Sequence, residues 1–133
     1  MEIHHKIAGV IIRNRKLLMC RKYDEPHFIM PGGRVKEKEN KEETLRRELK
    51  EELNVNLVSM EFFATKEAVH FKDKSKIVRM EMYFVDVEGE PKPTSEINEI
   101  IWVDSSYKKK GIKIASINED FTIPELKKRN LID

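Results

Sequence analysis

Between Asn40 and Leu53 the apolar residues Leu45, Leu49 and Leu53 recur at every fourth position of an otherwise charged stretch. Only a helix docked along one stripe accommodates that spacing. Asn40 stands where an N-cap is needed, and Asn54 where a left-handed residue closes a helix. At about 100° per residue, with Glu48 as reference, Glu52 lies near +40° and Glu51 near −60°. The three leucines fall at roughly +60°, +100° and +140° on the same arithmetic. Docking the leucines therefore presses a face of three carboxylates against the protein body.

Carboxylates at i, i+3 and i+4 repel one another by a few tenths of a kcal/mol per pair, and by more where water is excluded. Arg47, four residues from both Glu43 and Glu51, can orient one carboxylate but does not neutralise three. Oxygen-rich clusters of this kind suit hard divalent cations, and Mg²⁺ in particular takes a few carboxylates together with water and substrate phosphates. Gly32 and Gly33 come just before the helix, and they predict a turn whose backbone approaches a ligand closely. Glu39 stands at the helix entrance, placed to cap or to brace the acidic face.

Around this helix the chain reads as mostly β. Lys6 to Arg13 and Lys16 to Lys22 predict a hairpin turning on Asn14 and Arg15, and Phe28 to Met30 a brief strand. Val55 to Ala68 and Ile77 to Val87 predict a long antiparallel pair across the polar tip KDKSK. Glu99 to Val103 is a last strand. Phe121 to Asn130 predicts a C-terminal helix with Thr122 as cap and Pro124 in its first turn. The 133 residues correspond to one domain of ordinary size. The 26 basic and 24 acidic side chains nearly cancel, so no basic stripe marks a dedicated nucleic-acid partner. Cys20 is the only cysteine, which excludes an intrachain disulfide and fits a reducing, cytoplasmic setting. No apolar run approaches the length of a membrane span.

The segment GRVKEKENKEETLRRELKEELNV resembles the Nudix box, G-x5-E-x7-R-E-U-x-E-E-x-G-U with U apolar. It matches at Gly33, Glu39, Arg47, Glu48, Leu49, Glu51, Glu52 and Val55. Asn54 replaces the glycine, a small cost because Asn also tolerates the left-handed conformation. Lys36 and Lys38 stand where many members have Glu and Gly. The late arginine of LLMCRK, the lead-in PGG and the Glu99 to Trp102 pattern extend the likeness.

The resemblance implies an α/β fold, a Nudix-type α/β/α sandwich with a central mixed β-sheet. It implies a hydrolase in which water attacks phosphorus of a nucleoside diphosphate linked to another group. The cofactor would be Mg²⁺, with Mn²⁺ as a substitute. Glu51 and Glu52 would be the main metal ligands, helped by a Gly32 or Gly33 carbonyl. Glu48 would be a further ligand or the base, held by Arg47, with Glu39 as structural brace. Glu99 or Glu96 would add a fourth acid. Arg21 and Phe28, with Gly32 and Gly33, are the candidates for substrate binding, and a small-molecule nucleotide is the expected partner. Homodimers are frequent in the superfamily.

A nucleoside triphosphate, intact or oxidised, is the expected substrate by elimination, because the family's ADP-ribose and dinucleoside polyphosphate signatures are missing around Phe71 and its NADH and coenzyme A signatures are missing as well. ADP-sugar or dinucleoside polyphosphate hydrolysis and a non-catalytic nucleotide-binding module are the alternatives. His4 and His5 would point to opposite faces of a strand. His27 and His70 border the expected site. Arg13, Arg79, Lys108 to Lys110 and Lys127 to Arg129 read as solvated charge. Tyr23, Phe71 and Trp102 are aromatics for which packing competes with base stacking.

Overall fold

The computed structural model describes residues 2–70 and 72–133. Strands β1 (Glu2–Val10), β2 (Ile12–Arg13), β3 (Lys16–Lys22) and β4 (Gly32–Arg34) precede helix α1 (Lys41–Leu53). Then follow β5 (Asn56–Val69), β6 (Lys76–Glu88), β7 (Ile97–Val103) and the short helix α2 (Ile123–Lys128). A mixed sheet runs β4-β1-β6-β5, with β1 and β6 parallel, beside a second, antiparallel sheet ordered β2-β3-β7.

Alternation along the strands divides the core into two layers. Ile7, Ile11 and Leu18 pack with Leu45, Leu49 and Leu53 of α1, while Ala8, Val10, Leu17 and Met19 pack with Ile123 and Leu126 of α2. The strands thus lie between two helical layers, the α/β/α sandwich expected. All three α1 leucines are fully buried, each contributing roughly 1.5–3 kcal/mol. This holds the acidic face where it is.

Helix α1 has the predicted ends. Asn40 accepts from the Glu43 N–H at 2.8 Å while the Glu43 carboxylate accepts from the Asn40 N–H at 3.1 Å, a reciprocal cap. Asn54 is left-handed, with φ of 54°. The β5–β6 pair and the Asn14–Arg15 turn, both residues at positive φ, also follow the sequence.

Four expectations are corrected. The hairpin is much shorter than predicted: β1 pairs with β4 and β6, and past Ile11 only Ile12 and Arg13 pair with β3. Phe28 and Ile29 form isolated bridges to Ile114 and Cys20 instead of a strand, and Gly32 and Gly33 belong to β4, not to a turn. Thr122 does not cap α2. A π-helical turn, Asn118–Thr122, leads directly into the helix, and the buried Thr122 hydroxyl accepts from Asn118 and donates to Met82 Sδ.

Candidate active site on helix α1

Glu52 is the most unusual side chain of the helix, a carboxylate only 1% exposed. Its Oε1 accepts from the Gly32 N–H at 2.8 Å, while Oε2 is buried without a hydrogen-bond partner. Burial, strengthened by the nearby Glu48 and Glu96 and opposed by the Gly32 bond and Lys22, pushes its carboxyl up to about 8. Gly32, with φ of +148°, can be nothing larger, because a Cβ there would overlap the Ile7 carbonyl oxygen. Gly33 is needed for a different reason. A Cβ on it would sit 2.5 Å from the carboxyl carbon of Glu48. Strand β4 therefore forms a side-chain-free floor beneath both acids.

Glu48 is largely buried, and desolvation raises its carboxyl against the opposing pull of Arg47. The Arg47 guanidinium organises the rest. It donates from Nε and Nη2 to the two oxygens of Glu39 at 2.7 and 2.9 Å, from Nη1 to Glu48 Oε1 at 2.7 Å, and from Nη2 to the Arg34 carbonyl at 3.3 Å. Glu39 also accepts from the Lys36 N–H and the Thr44 hydroxyl, and its bond to Arg47 holds its carboxyl down at about 2. Glu51, half exposed, lies 3.6 Å from Arg47 Nη1. Lys38, where many relatives carry glycine, is left-handed with φ of 69°.

Glu48, Glu51 and Glu52 thus share one end of α1. Among the described residues, however, no three His, Cys, Asp or Glu side chains are already gathered at metal-holding spacing. The donors still fit a hard cation. They are all oxygens, one buried Glu52 oxygen has no partner, and the Glu48 carboxylate lies directly over the bare Gly33 backbone.

The other acids separate. Glu99 pairs with Arg21, accepting from Nε at 3.2 Å and Nη2 at 2.9 Å. Glu96, 3.6 Å from Lys22 Nζ, acts electrostatically on both Glu48 and Glu52. Arg21 and Phe28 lie together, the guanidinium 5.7 Å above the ring, in a hollow of about 410 Å³ that Glu99, Ile112 and Lys113 help to line. A larger hollow of about 550 Å³ at the other end of α1 is walled by Val35, Met60 and Tyr83 and lacks the acid cluster.

The sequence did not single out Lys6 or Lys22. Lys6 is partly buried on β1 opposite Arg34 of β4. Burial and repulsion from Lys22 and Arg34 lower its ammonium, while Glu52 and Glu48 oppose that shift. The available signal was a lysine two residues before Ala8 and four before Val10, on the inward side of a strand. His4 is buried and edge-on to His70, with ring centroids 5.5 Å apart. His27 and Tyr23 are exposed. Trp102 packs against the α1 layer. Phe71 lies outside the described residues. No described helix is long and apolar enough to cross a membrane.

Residues 3–107 match the NUDIX domain. The 8-oxo-dGTP diphosphatase of Buchnera aphidicola subsp. Schizaphis graminum (strain Sg) is 34% identical over 67 residues, 47% of this chain and 52% of that protein. The chain thus spans about half the length of that curated relative. Among solved structures, the MutT protein from Methanosarcina mazei Go1 superposes with a TM-score of 0.78 at 20% identity, covering 97% of this chain and 96% of that one. The E. coli ORF135 protein gives 0.72 at 22% identity, covering 90% and 85%. At such identities the likeness is one of fold. The domain match running from β1 past β7, which takes in the whole Gly33–Val55 motif, carries the assignment: this chain belongs to the NUDIX family.

Proposed function

We propose that this protein hydrolyses a nucleoside triphosphate, intact or oxidised, to the monophosphate and pyrophosphate with the help of Mg²⁺, for which Mn²⁺ can substitute. The observation that carries the reading is Glu52, a buried carboxylate with one oxygen on the Gly32 N–H and the other without a partner. A carboxylate pays a large desolvation cost there, and a cation offsets it. The 8-oxo-dGTP diphosphatase activity named for the Buchnera relative supports the triphosphate class.

Glu51, Glu52 and Glu48 would hold the metal, assisted by a Gly33 or Gly32 carbonyl. Glu96 is a better fourth acid than Glu99, which is committed to Arg21. The metal supplies neutralisation of phosphate charge and a more acidic bound water. Arg47, braced by Glu39, fixes Glu48 through Oε1. Glu48 Oε2 then accepts the proton of the attacking water, a role helped by a carboxyl raised toward neutrality. Water adds to phosphorus, the bridging P–O bond breaks and pyrophosphate leaves. Lys6, Lys22 and Arg34 offer positive charge to the phosphates. Arg21 and Phe28 would receive the nucleoside.

The test is a panel of dGTP, 8-oxo-dGTP, ADP-ribose and a diadenosine polyphosphate with Mg²⁺, followed as phosphate after added pyrophosphatase. Turnover of a triphosphate that disappears in Glu52→Gln is expected. Turnover of ADP-ribose or the dinucleotide alone would move the substrate class. Lack of turnover with every compound would overturn the enzymatic reading.

A further inference from the structure

The last turn of any α-helix leaves carbonyls without intrahelical partners. In α1 these belong to the residues that carry the acids. Asn54 N–H bonds to the Lys50 carbonyl at 3.1 Å, and the next three carbonyls are met from a single distant loop. The Thr94 hydroxyl donates to Glu51 O at 2.5 Å, the Thr94 N–H to Glu52 O at 3.0 Å, and the Lys92 N–H to Leu53 O at 3.0 Å.

The same loop then delivers Glu96. The Ile97 N–H closes a turn onto the Thr94 carbonyl at 3.1 Å, with Ser95 left-handed at φ of 54°. Ile97, 1% exposed, anchors the start of β7. Glu96 itself is tied to the end of β3, its carbonyl accepting from the Tyr23 N–H at 3.3 Å and its carboxylate lying 3.6 Å from Lys22 Nζ. The bonds from Thr94 and Lys92 are what tie this loop to the helix end.

We propose that Thr94 is a positioning residue that locks the C-terminal turn of α1 to the β6–β7 loop, so that Glu51, Glu52 and Glu96 are set at one spacing for a divalent cation. This rests on the metal-dependent reading above and concerns how the site is held, not what it cleaves. The side-chain bond is separable from the backbone bonds. Valine keeps the shape of threonine and both N–H contacts while losing the hydroxyl donor, and serine keeps the donor.

The experiment is a titration of the nucleotide-free chain with Mn²⁺, followed by the EPR signal of the free ion, for wild type, Thr94→Val and Thr94→Ser, with thermal melts in EDTA alongside. We expect Thr94→Val to bind Mn²⁺ about tenfold more weakly, as loss of a bond behind a ligand typically does, and Thr94→Ser to recover most of the affinity. A purely structural role would lower the melting temperature and leave affinity well below that temperature unchanged, which overturns the proposal. Amide exchange of Thr94 and Lys92 in the wild type, independent of any variant's folding, should slow on adding Mg²⁺; unchanged exchange also overturns it. Absence of Mn²⁺ binding by the wild type would sink the metal-dependent reading itself, whereas wild-type affinity in Thr94→Val sinks only the positioning role.

Discussion

Replacing Glu52 by Gln should make the metal-free protein more stable at neutral and alkaline pH while it abolishes turnover. The folded chain holds the Glu52 carboxyl at about 8, against an ordinary 4.5 that the unfolded chain should approach. Because the folded value is the higher one, the favourable contribution of protonated Glu52 is complete below about pH 4.5. It is lost as pH rises through about 8. At 1.36 kcal/mol per tenfold, the interval between the two values corresponds to roughly 5 kcal/mol. Ionised Glu52 would draw Lys22 and water toward it and recover part of that, so about 2–5 kcal/mol is the expected pH-dependent difference from Glu52→Gln. Glutamine keeps an oxygen for the Gly32 N–H and carries no charge.

Urea unfolding of both proteins in EDTA at pH 4, 6.5 and 9 measures this directly. The wild type should lose ground to the variant steadily across the series. For a chain of 133 residues, about 3.5 °C of melting temperature accompanies each kcal/mol, so the gap opens by roughly 7–18 °C. Adding Mg²⁺ or Mn²⁺ at pH 8 should close much of the gap, because a cation at about a hundred times its dissociation constant stabilises a competent site by roughly 2.7 kcal/mol. A stability difference that stays constant from pH 4 to 9 would refute the account of Glu52 as a desolvated, charge-seeking carboxylate.

The two glycines of β4 should fail differently. Gly32→Ala collides with backbone and should cost about 3 kcal/mol or more in a denaturant melt, whereas Gly33→Ala meets only the end of the Glu48 side chain and should fold with about 1 kcal/mol lost or less but with kcat down at least about tenfold. Glu39→Gln removes the charge that holds Arg47, so kcat should fall about tenfold with KM little changed in steady-state assays at saturating Mg²⁺; since the Glu39 carboxyl is depressed to about 2, its stabilising contribution is present above about 4.5 and is lost only as pH falls through about 2. Asn54→Gly should raise stability by up to about 1 kcal/mol and Asn54→Ala lower it by a similar amount, read by thermal melting, because Asn54 occupies the left-handed position at the end of α1.

What the sequence revealed was local and periodic. The leucine stripe, the Asn40 cap, the left-handed Asn54 and the Asn14–Arg15 turn each follow from a few neighbouring residues, and each stands in the structure as expected. The run KIAGVIIR hid its division between two sheets because both faces of the strand are apolar, and a strand buried on both sides carries no alternation to mark where it changes partners. Gly32 and Gly33 suggested a turn because that is the commonest use of paired glycines. Here close approach to Ile7 and Glu48 requires them within a strand. Thr122 looked like a cap because Pro124 suggested a helix start, yet helical backbone already extends through Asn118. The choice between Glu96 and Glu99 depended on the pairing of β3 with β7, where an irregularity at Arg21 and Lys22 places Glu99 opposite Arg21 and Ile97 opposite Lys22. No local pattern encodes that register.

The long-range arrangement also explains why the acidic face needs more than Arg47. That guanidinium already serves Glu39 with two bonds and Glu48 with a third, so it brings no net positive charge to the cluster. Lys22 is close to Glu96. Across the floor of β4 the imbalance has the opposite sign, since burial, helped by the charges of Lys22 and Arg34, lowers the Lys6 ammonium. Like charges are thus crowded on both sides, carboxylates on α1 and cations on β1, β3 and β4. Turning a lysine toward the carboxylates would relieve one side only. On the proposed function, a divalent cation bound together with a polyphosphate would relieve both at once, the cation on the acids and the phosphate oxygens on the lysines. The site should therefore be least stable when empty, and the electrostatic strain expected to weaken the metal-free protein would favour a ligand carrying both kinds of charge.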